Sequence, residues 1–252
     1  MAISDNRKAM IFAAGLGTRL KPLTDNMPKA LVRIAGKPIL EHLITKLKLS
    51  GFTQIVINVH HFADMIIDFL NKNNNFGIEI FISDERDCLL DTGGGIKHAT
   101  CFLQGDKPFL VHNVDIISNV DLNEIYEKHN YSSALATLLV SNRNASRRLL
   151  FNNDEHLCGW QNKSTDELKW NNAHFLYTDC KDYAFGGIHV MSPKIFDFFD
   201  MWSNKFSIID FYLSIAQTQN ICAYAPPNLQ IVDIGTKETL QQAEDDFQSL
   251  II

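Results

Sequence analysis

The sequence predicts an α/β fold, a doubly wound and mostly parallel sheet with helices on both faces. Three observations carry that expectation. Short apolar runs alternate along the chain with segments of three-and-four spacing, the pattern of strands joined by crossover helices. The first run, Lys8-Ala9-Met10-Ile11-Phe12-Ala13, is almost wholly apolar, as a strand covered on both faces requires. With 252 residues and 46% hydrophobic content the chain can bury a substantial core, and one large domain is expected rather than two small ones.

After that first strand, Ile39, Leu40, Leu43, Ile44 and Leu47 form one face of a helix that opens at Pro38 and stops near Gly51. Residues 54–59 read as a strand, 62–73 as a helix, 78–82 as a strand, 92–103 as a helix and 108–112 as a strand. A helix at 122–129 and a strand at 134–140 come next. From about residue 141 the period fades into polar sequence dotted with aromatics, a small β-containing insertion with candidate strands at 149–151, 157–161 and 175–177. Regularity returns with a strand at 183–191, a helix from Pro193, a helix at 208–217, a strand at 229–232 and a final helix at 237–250. No internal repeat or hexapeptide period is present, so no C-terminal β-helix is expected.

The chemistry-bearing residues cluster at the ends of the apolar runs. The loop Ala13-Ala14-Gly15-Leu16-Gly17-Thr18-Arg19-Leu20-Lys21-Pro22 follows the first strand, and Pro28-Lys29 closes it. Its glycines allow positive φ and close approach, its amides can form an anion nest, and Arg19, Lys21 and Lys29 add charge. Arg19 offers a planar fork to phosphate oxygens, whereas Lys29 is a compact point charge. The loop lacks the Gly-Lys-Ser/Thr of a P-loop, and Leu20 replaces the third glycine of a dinucleotide fingerprint. A plain glycine turn with solvated cations is the competing reading.

Two aspartates, Asp115 and Asp233, each follow an apolar run, and strand exits of a parallel sheet share one rim. Two carboxylates there suit Mg2+, which keeps waters and completes its octahedron with phosphate oxygens. The alternative is that Asp115 starts a turn and Asp233 caps a helix. In Leu90-Asp91-Thr92-Gly93-Gly94-Gly95 three glycines open a helix, either a bare surface for a base or phosphate, or a loop capped by Asp91 or Thr92. Gly186-Gly187 makes room for a sugar ring or marks a bulge, and Arg147-Arg148 is a solvated pair or faces an acceptor phosphate.

Net charge is −6, which leaves no overall basic field for nucleic acid. The five cysteines are scattered and form no CxxC, so they read as reduced thiols. No signal-peptide pattern opens the chain and no apolar run approaches the roughly 18 residues of a membrane helix. A cytoplasmic protein, monomer or homodimer, without membrane or nucleic-acid partners is expected.

The string AAGLGTRLKPLT with PKAL, together with LLDTGGGI, HNVD and IVDIGT, resembles the sugar-1-phosphate nucleotidyltransferases over most of the chain except about residues 141–182. The resemblance implies a Rossmann-like fold, with a nucleotide-binding half at about 1–140 and an acceptor-binding half at about 141–252. It implies NMP transfer from an NTP to a sugar 1-phosphate, dependent on Mg2+. Ala13, Ala14, Gly15, Gly17, Thr18, Arg19, Asp91, Gly93 and Gly94 are then the nucleotide-binding residues and Arg19 and Lys29 the catalytic cations. Asp115 and Asp233 match the family's metal aspartates, and Asn113, Gly187 and Arg148 are acceptor-side candidates. Val114 departs from the family's usual glycine before the first metal aspartate. A sugar 1-phosphate is already largely ionised near neutral pH and needs no general base. Phosphocholine cytidylyl transfer and a non-catalytic nucleotide sensor are the two alternatives.

Overall fold

In the computed structural model residues 6–170 and 179–247 are described. Four strands, β5 (Glu79–Asp84), β4 (Phe52–Val59), β1 (Arg7–Phe12) and β6 (Phe109–Asn113), lie side by side and run parallel. The next strand, β12 (Lys181–Met191), is antiparallel to β6. Along its other edge β12 pairs with β9 (Arg147–Phe151) and β8 (Ala136–Ser141). From β9 the sheet continues antiparallel through β10 (Leu157–Asn162) to β11 (Glu167–Trp170), while β8 pairs parallel with β13 (Ile221–Tyr224). Two small ladders stand apart: β2 (Arg33–Ile34) with β3 (Lys37–Pro38), and β7 (Ile116–Ser118) with β14 (Ile231–Asp233).

The strict alternation of a strand explains why helices cover both faces. Ala9 and Ile11 of β1 join a buried cluster with residues of α1 (Ile39–Leu49), α2 (Ala63–Lys72), α5 (Leu122–Asn130) and α7 (Lys237–Asp245). Met10, between them, joins the opposite cluster, built with α3 (Asp91–His98), α4 (Thr100–Leu103) and α6 (Ile208–Ile215). Alternate residues of β1 therefore face helices on opposite sides of the sheet.

Several elements differ from the sequence expectation. The helix expected at 92–103 breaks at Ala99 into α3 and α4, and Thr100 Oγ1 bonds back to the Lys97 carbonyl at 2.6 Å. The segment after Ser192 is a 3-10 turn, Pro193–Phe198. Strands β11 and β13 were not foreseen: β11 is mostly exposed and carries no apolar period, and β13 has only four residues. The strand expected at 175–177 and residues 248–250 of the last helix lie outside the described residues. Among the described residues there is no β-helix, none of the five cysteines is joined in a disulfide, and no helix is long and apolar enough to cross a membrane.

Candidate active site

The first loop is held from below by a buried polar pair that the sequence reading missed. Asn58, at the end of β4, accepts the Ala13 amide at 2.7 Å and the Ala14 amide at 3.3 Å through Oδ1. Its Nδ2 donates to Glu85 Oε1 at 2.8 Å, and Glu85 Oε2 accepts the Leu90 amide at 3.2 Å. Both residues are 3% exposed, so three successive strand exits are tied together through groups shielded from water. The signal was present in the sequence: Asn58 is a polar residue closing an apolar run, as Asp115 is. The Ala13 and Ala14 amides are thus engaged by Asn58, while Ala14 lines the cavity above.

Above that base lies a cavity of about 480 Å³ whose wall includes Ala14, Gly15, Lys29, Asp91, Asn113 and Asp115. Gly17 has φ +63°, and a Cβ there would stand 3.0 Å from Thr24 Cγ2 and 3.2 Å from Lys29 Cβ. Thr24 Oγ1 donates to the Gly17 carbonyl at 2.8 Å, which fixes the bend that turns the chain toward Lys29. Thr18 and Arg19 stand exposed on the short 3-10 turn that follows.

Lys29 is 7% exposed, and its Nζ lies 2.5 Å from Asp115 Oδ2. Asp115 sits in the turn between β6 and β7, and its carbonyl accepts the Ile234 amide at 2.8 Å. Asp233 is paired in register with Ile116 across the β7–β14 ladder. The two aspartates therefore meet, but Asp233 arrives on a separate two-stranded ladder and not on the parallel sheet, which corrects the shared-rim expectation. Thr236 caps α7, so Asp233 is spared that role. Arg19 reaches the same corner: a Cβ on Gly235 would stand 2.6 Å from Arg19 Nη2 and 2.9 Å from Asp233 Oδ1.

Burial, and then the neighbouring Asp115 charge, raise the Asp233 pKa above the ordinary carboxylate value, against the pull of Lys29, Arg19 and Arg143. Asp233 Oδ1 is buried and has no hydrogen-bond partner among the described residues. A buried carboxylate oxygen left without a donor, beside a second carboxylate, is the donor set a hard cation requires. Among the described residues no cluster of three His, Cys, Asp or Glu could hold a metal, so these two oxygen donors would leave the other positions to water and phosphate.

Other candidates are placed differently from expectation. The Gly93 and Gly94 amides donate to the Phe206 carbonyl at 2.9 and 3.3 Å, and a Cβ at either would strike Phe206 or Asn204. These glycines pack closely against the 204–206 segment. That segment contributes Lys205 to the cavity, a residue with no distinguishing sequence pattern. Asp91, at φ +63°, does line the cavity. Arg148 points away: it donates to the Arg143 carbonyl at 2.6 Å and the Asp182 carbonyl at 2.8 Å and pairs with the Asp182 carboxylate. It is a buried clamp between strands, whereas the charge of Arg143 is felt at Asp233. Gly187, at φ +71°, lies in an irregular stretch of β12 where a Cβ would stand 2.7 Å from Ile116 Cγ1 and 3.0 Å from Asn113 Nδ2. Val114 lines the cavity and is itself 5% exposed.

A glycine loop, paired carboxylates and a buried lysine around one cavity define a phosphate-transferring enzyme of the nucleotide-binding α/β class. Residues 8–151 match the nucleotidyl transferase family, and the chain belongs to that family. It is 33% identical over 230 residues to the N-acetylmuramate alpha-1-phosphate uridylyltransferase of Caulobacter vibrioides, covering 88% of this chain and 89% of that protein. It is 29% identical over 230 residues to mannose-1-phosphate guanylyltransferase 1 of Arabidopsis thaliana, covering 90% of this chain and 61% of that protein. Among solved structures, HddC from Yersinia pseudotuberculosis complexed with GMP-PN superposes with a TM-score of 0.75 at 26% identity, covering 96% of this chain and 99% of that one. The enzyme is a sugar-1-phosphate nucleotidyltransferase.

Proposed function

We propose that the enzyme transfers UMP from UTP to N-acetylmuramate 1-phosphate, releasing pyrophosphate, with Mg2+ held by Asp115 and Asp233. The observation that carries the transfer reading is the Lys29–Asp115 pair beside the unpartnered Asp233 oxygen, at the edge of a cavity of about 480 Å³. The choice of pair rests on the likeness to the Caulobacter vibrioides enzyme along nearly its whole length.

In this reading an oxygen of the acceptor phosphate attacks the α-phosphorus of UTP, and the bond from that phosphorus to the β-bridging oxygen breaks. No side chain must remove a proton, so positioning and charge neutralisation are the work of the site. Lys29, screened from water, offsets charge where donor and acceptor meet. Arg19, exposed above Asp233, holds the departing pyrophosphate with the amides of Gly15 and Gly17. Bound Mg2+ supplies Lewis-acid neutralisation of the phosphate oxygens. The nucleotide fills the half up to about residue 140, and the acceptor enters from the half beyond it. Five cysteines outside any disulfide and a nucleotide substrate suit the cytoplasm.

A phosphocholine acceptor would need open aromatic faces. The Trp160 face is taken by Lys169 Nζ at 5.1 Å from the ring centre, which disfavours a cationic acceptor there. Incubating the protein and Mg2+ with each NTP and a panel of sugar 1-phosphates and phosphocholine, with pyrophosphate release as readout, tests the reading. Release from UTP with N-acetylmuramate 1-phosphate is expected, and none from any pair would favour a nucleotide sensor.

A further inference from the structure

We infer that Arg143 receives an anionic group of the acceptor, a role that rests on the transfer reading above. Arg143 follows β8 by two residues and reaches across to β12, where its Nη2 donates to the Phe185 carbonyl at 3.0 Å. Among the described residues that is the one hydrogen bond its guanidinium makes, and its Nε is buried without a partner.

The segment it grips leads directly to the two aspartates. A Cβ on Gly186 would stand 3.0 Å from Ile231 Cδ1, on the strand that ends in Asp233. Gly187 meets Asn113 and Ile116, which flank Asp115. Phe185 to Gly187 is thus packed against both aspartate-bearing segments, and it fixes Arg143 at their side.

Three other cations near this segment are already committed. Lys29 pairs with Asp115, and both Arg148 and Lys163 pair with Asp182. Arg143 has no carboxylate within ion-pair distance among the described residues. A guanidinium half-buried, anchored through one nitrogen and otherwise unmatched is costly to keep unless it meets a partner. Its planar fork fits two oxygens of a phosphate or a carboxylate. The anion has two sources on the acceptor, its 1-phosphate or a carboxylate carried by the sugar.

Steady-state kinetics of the wild type, Arg143→Ala and Arg143→Lys with UTP and Mg2+ test this. The acceptors are N-acetylmuramate 1-phosphate, which carries both anions, and N-acetylglucosamine 1-phosphate, which carries the phosphate alone. Arg143→Ala is expected to raise the acceptor KM by about 10- to 100-fold while the UTP KM stays within about twofold. Arg143→Lys should restore part of that loss, since it keeps the charge and loses the fork. A loss with both acceptors assigns the phosphate, and a loss with N-acetylmuramate 1-phosphate alone assigns the carboxylate. An unchanged acceptor KM, or both KM values rising together, overturns the role. Direct titration of N-acetylmuramate 1-phosphate into each protein separates the two readings. Acceptor binding that depends on Arg143 in a protein without turnover would sink the transfer reading and leave this one standing.

Discussion

Replacing Asp233 by Asn should make the metal-free protein more stable while removing its activity. The structure leaves Oδ1 of Asp233 buried and without a partner, and burial and Asp115 raise its pKa. A carboxyl group whose folded pKa lies above its unfolded value disfavours folding once it ionises. The cost is absent at pH below the ordinary carboxylate value, grows as pH rises from there toward the folded pKa, and is complete above it. A buried polar atom without a partner costs about 1–3 kcal/mol, and the amide removes the charge but not the polarity, so a gain of about 1 kcal/mol is expected. For a chain of this size that is a rise of about 2–4 °C in Tm. Thermal melts of wild type and Asp233→Asn between pH 4 and pH 8 without divalent metal should separate at the alkaline end and converge at the acid end. Added Mg2+ should raise the wild-type Tm and leave that of the variant unmoved, and turnover should fall by at least about 100-fold. A variant less stable than wild type at pH 7, or a gap that widens as pH falls, would refute this reasoning.

Lys29→Met keeps the apolar stem in place and removes the charge beside Asp115, so kcat should fall by about 100- to 1000-fold, measured as pyrophosphate release. An unchanged rate would take Lys29 out of the reaction. Asn58→Ala leaves the Ala13 and Ala14 amides and Glu85 without their partner, and urea titration should show a loss of about 2–3 kcal/mol with a raised KM for UTP. Wild-type stability in that variant would show that the loop is held by other means. Gly94→Ala places a Cβ 2.1 Å from the Asn204 carbonyl and should cost about 1–3 kcal/mol, whereas Gly15→Ala, whose Cβ meets nothing within 4 Å, should leave Tm unaltered. Equal melting of the two variants would contradict the packing role given to Gly94.

Much of the nucleotide side was legible in the sequence because each feature there is local. Apolar strands β1, β4 and β6 end in a glycine loop, Asn58 and Asp115, and strand exits point to one side. Lys29 follows a proline that ends the loop, and its pairing with Asp115 needs only that rim. The acceptor side was less legible because its contacts depend on tertiary pairing. The apolar run at 229–232 announces a strand but not its pairing with β7, through which Asp233 reaches Asp115. Arg143 and Arg148 look alike in sequence, and only the position of Asp182 decides which turns inward. Gly93 and Gly94 suggested an open surface, yet the backbone that fills the space beside them comes from residues 204–206, more than a hundred positions away.

Transfer of the α-phosphoryl group is the central claim, and UTP labelled at the α-phosphorus follows it directly. With N-acetylmuramate 1-phosphate and Mg2+, the wild type should move the label into a UDP-sugar and release unlabelled pyrophosphate, and Asp115→Asn should do neither. A wild type that forms no labelled nucleotide sugar from any NTP and sugar 1-phosphate, or an Asp115→Asn variant that keeps the wild-type rate, would contradict it.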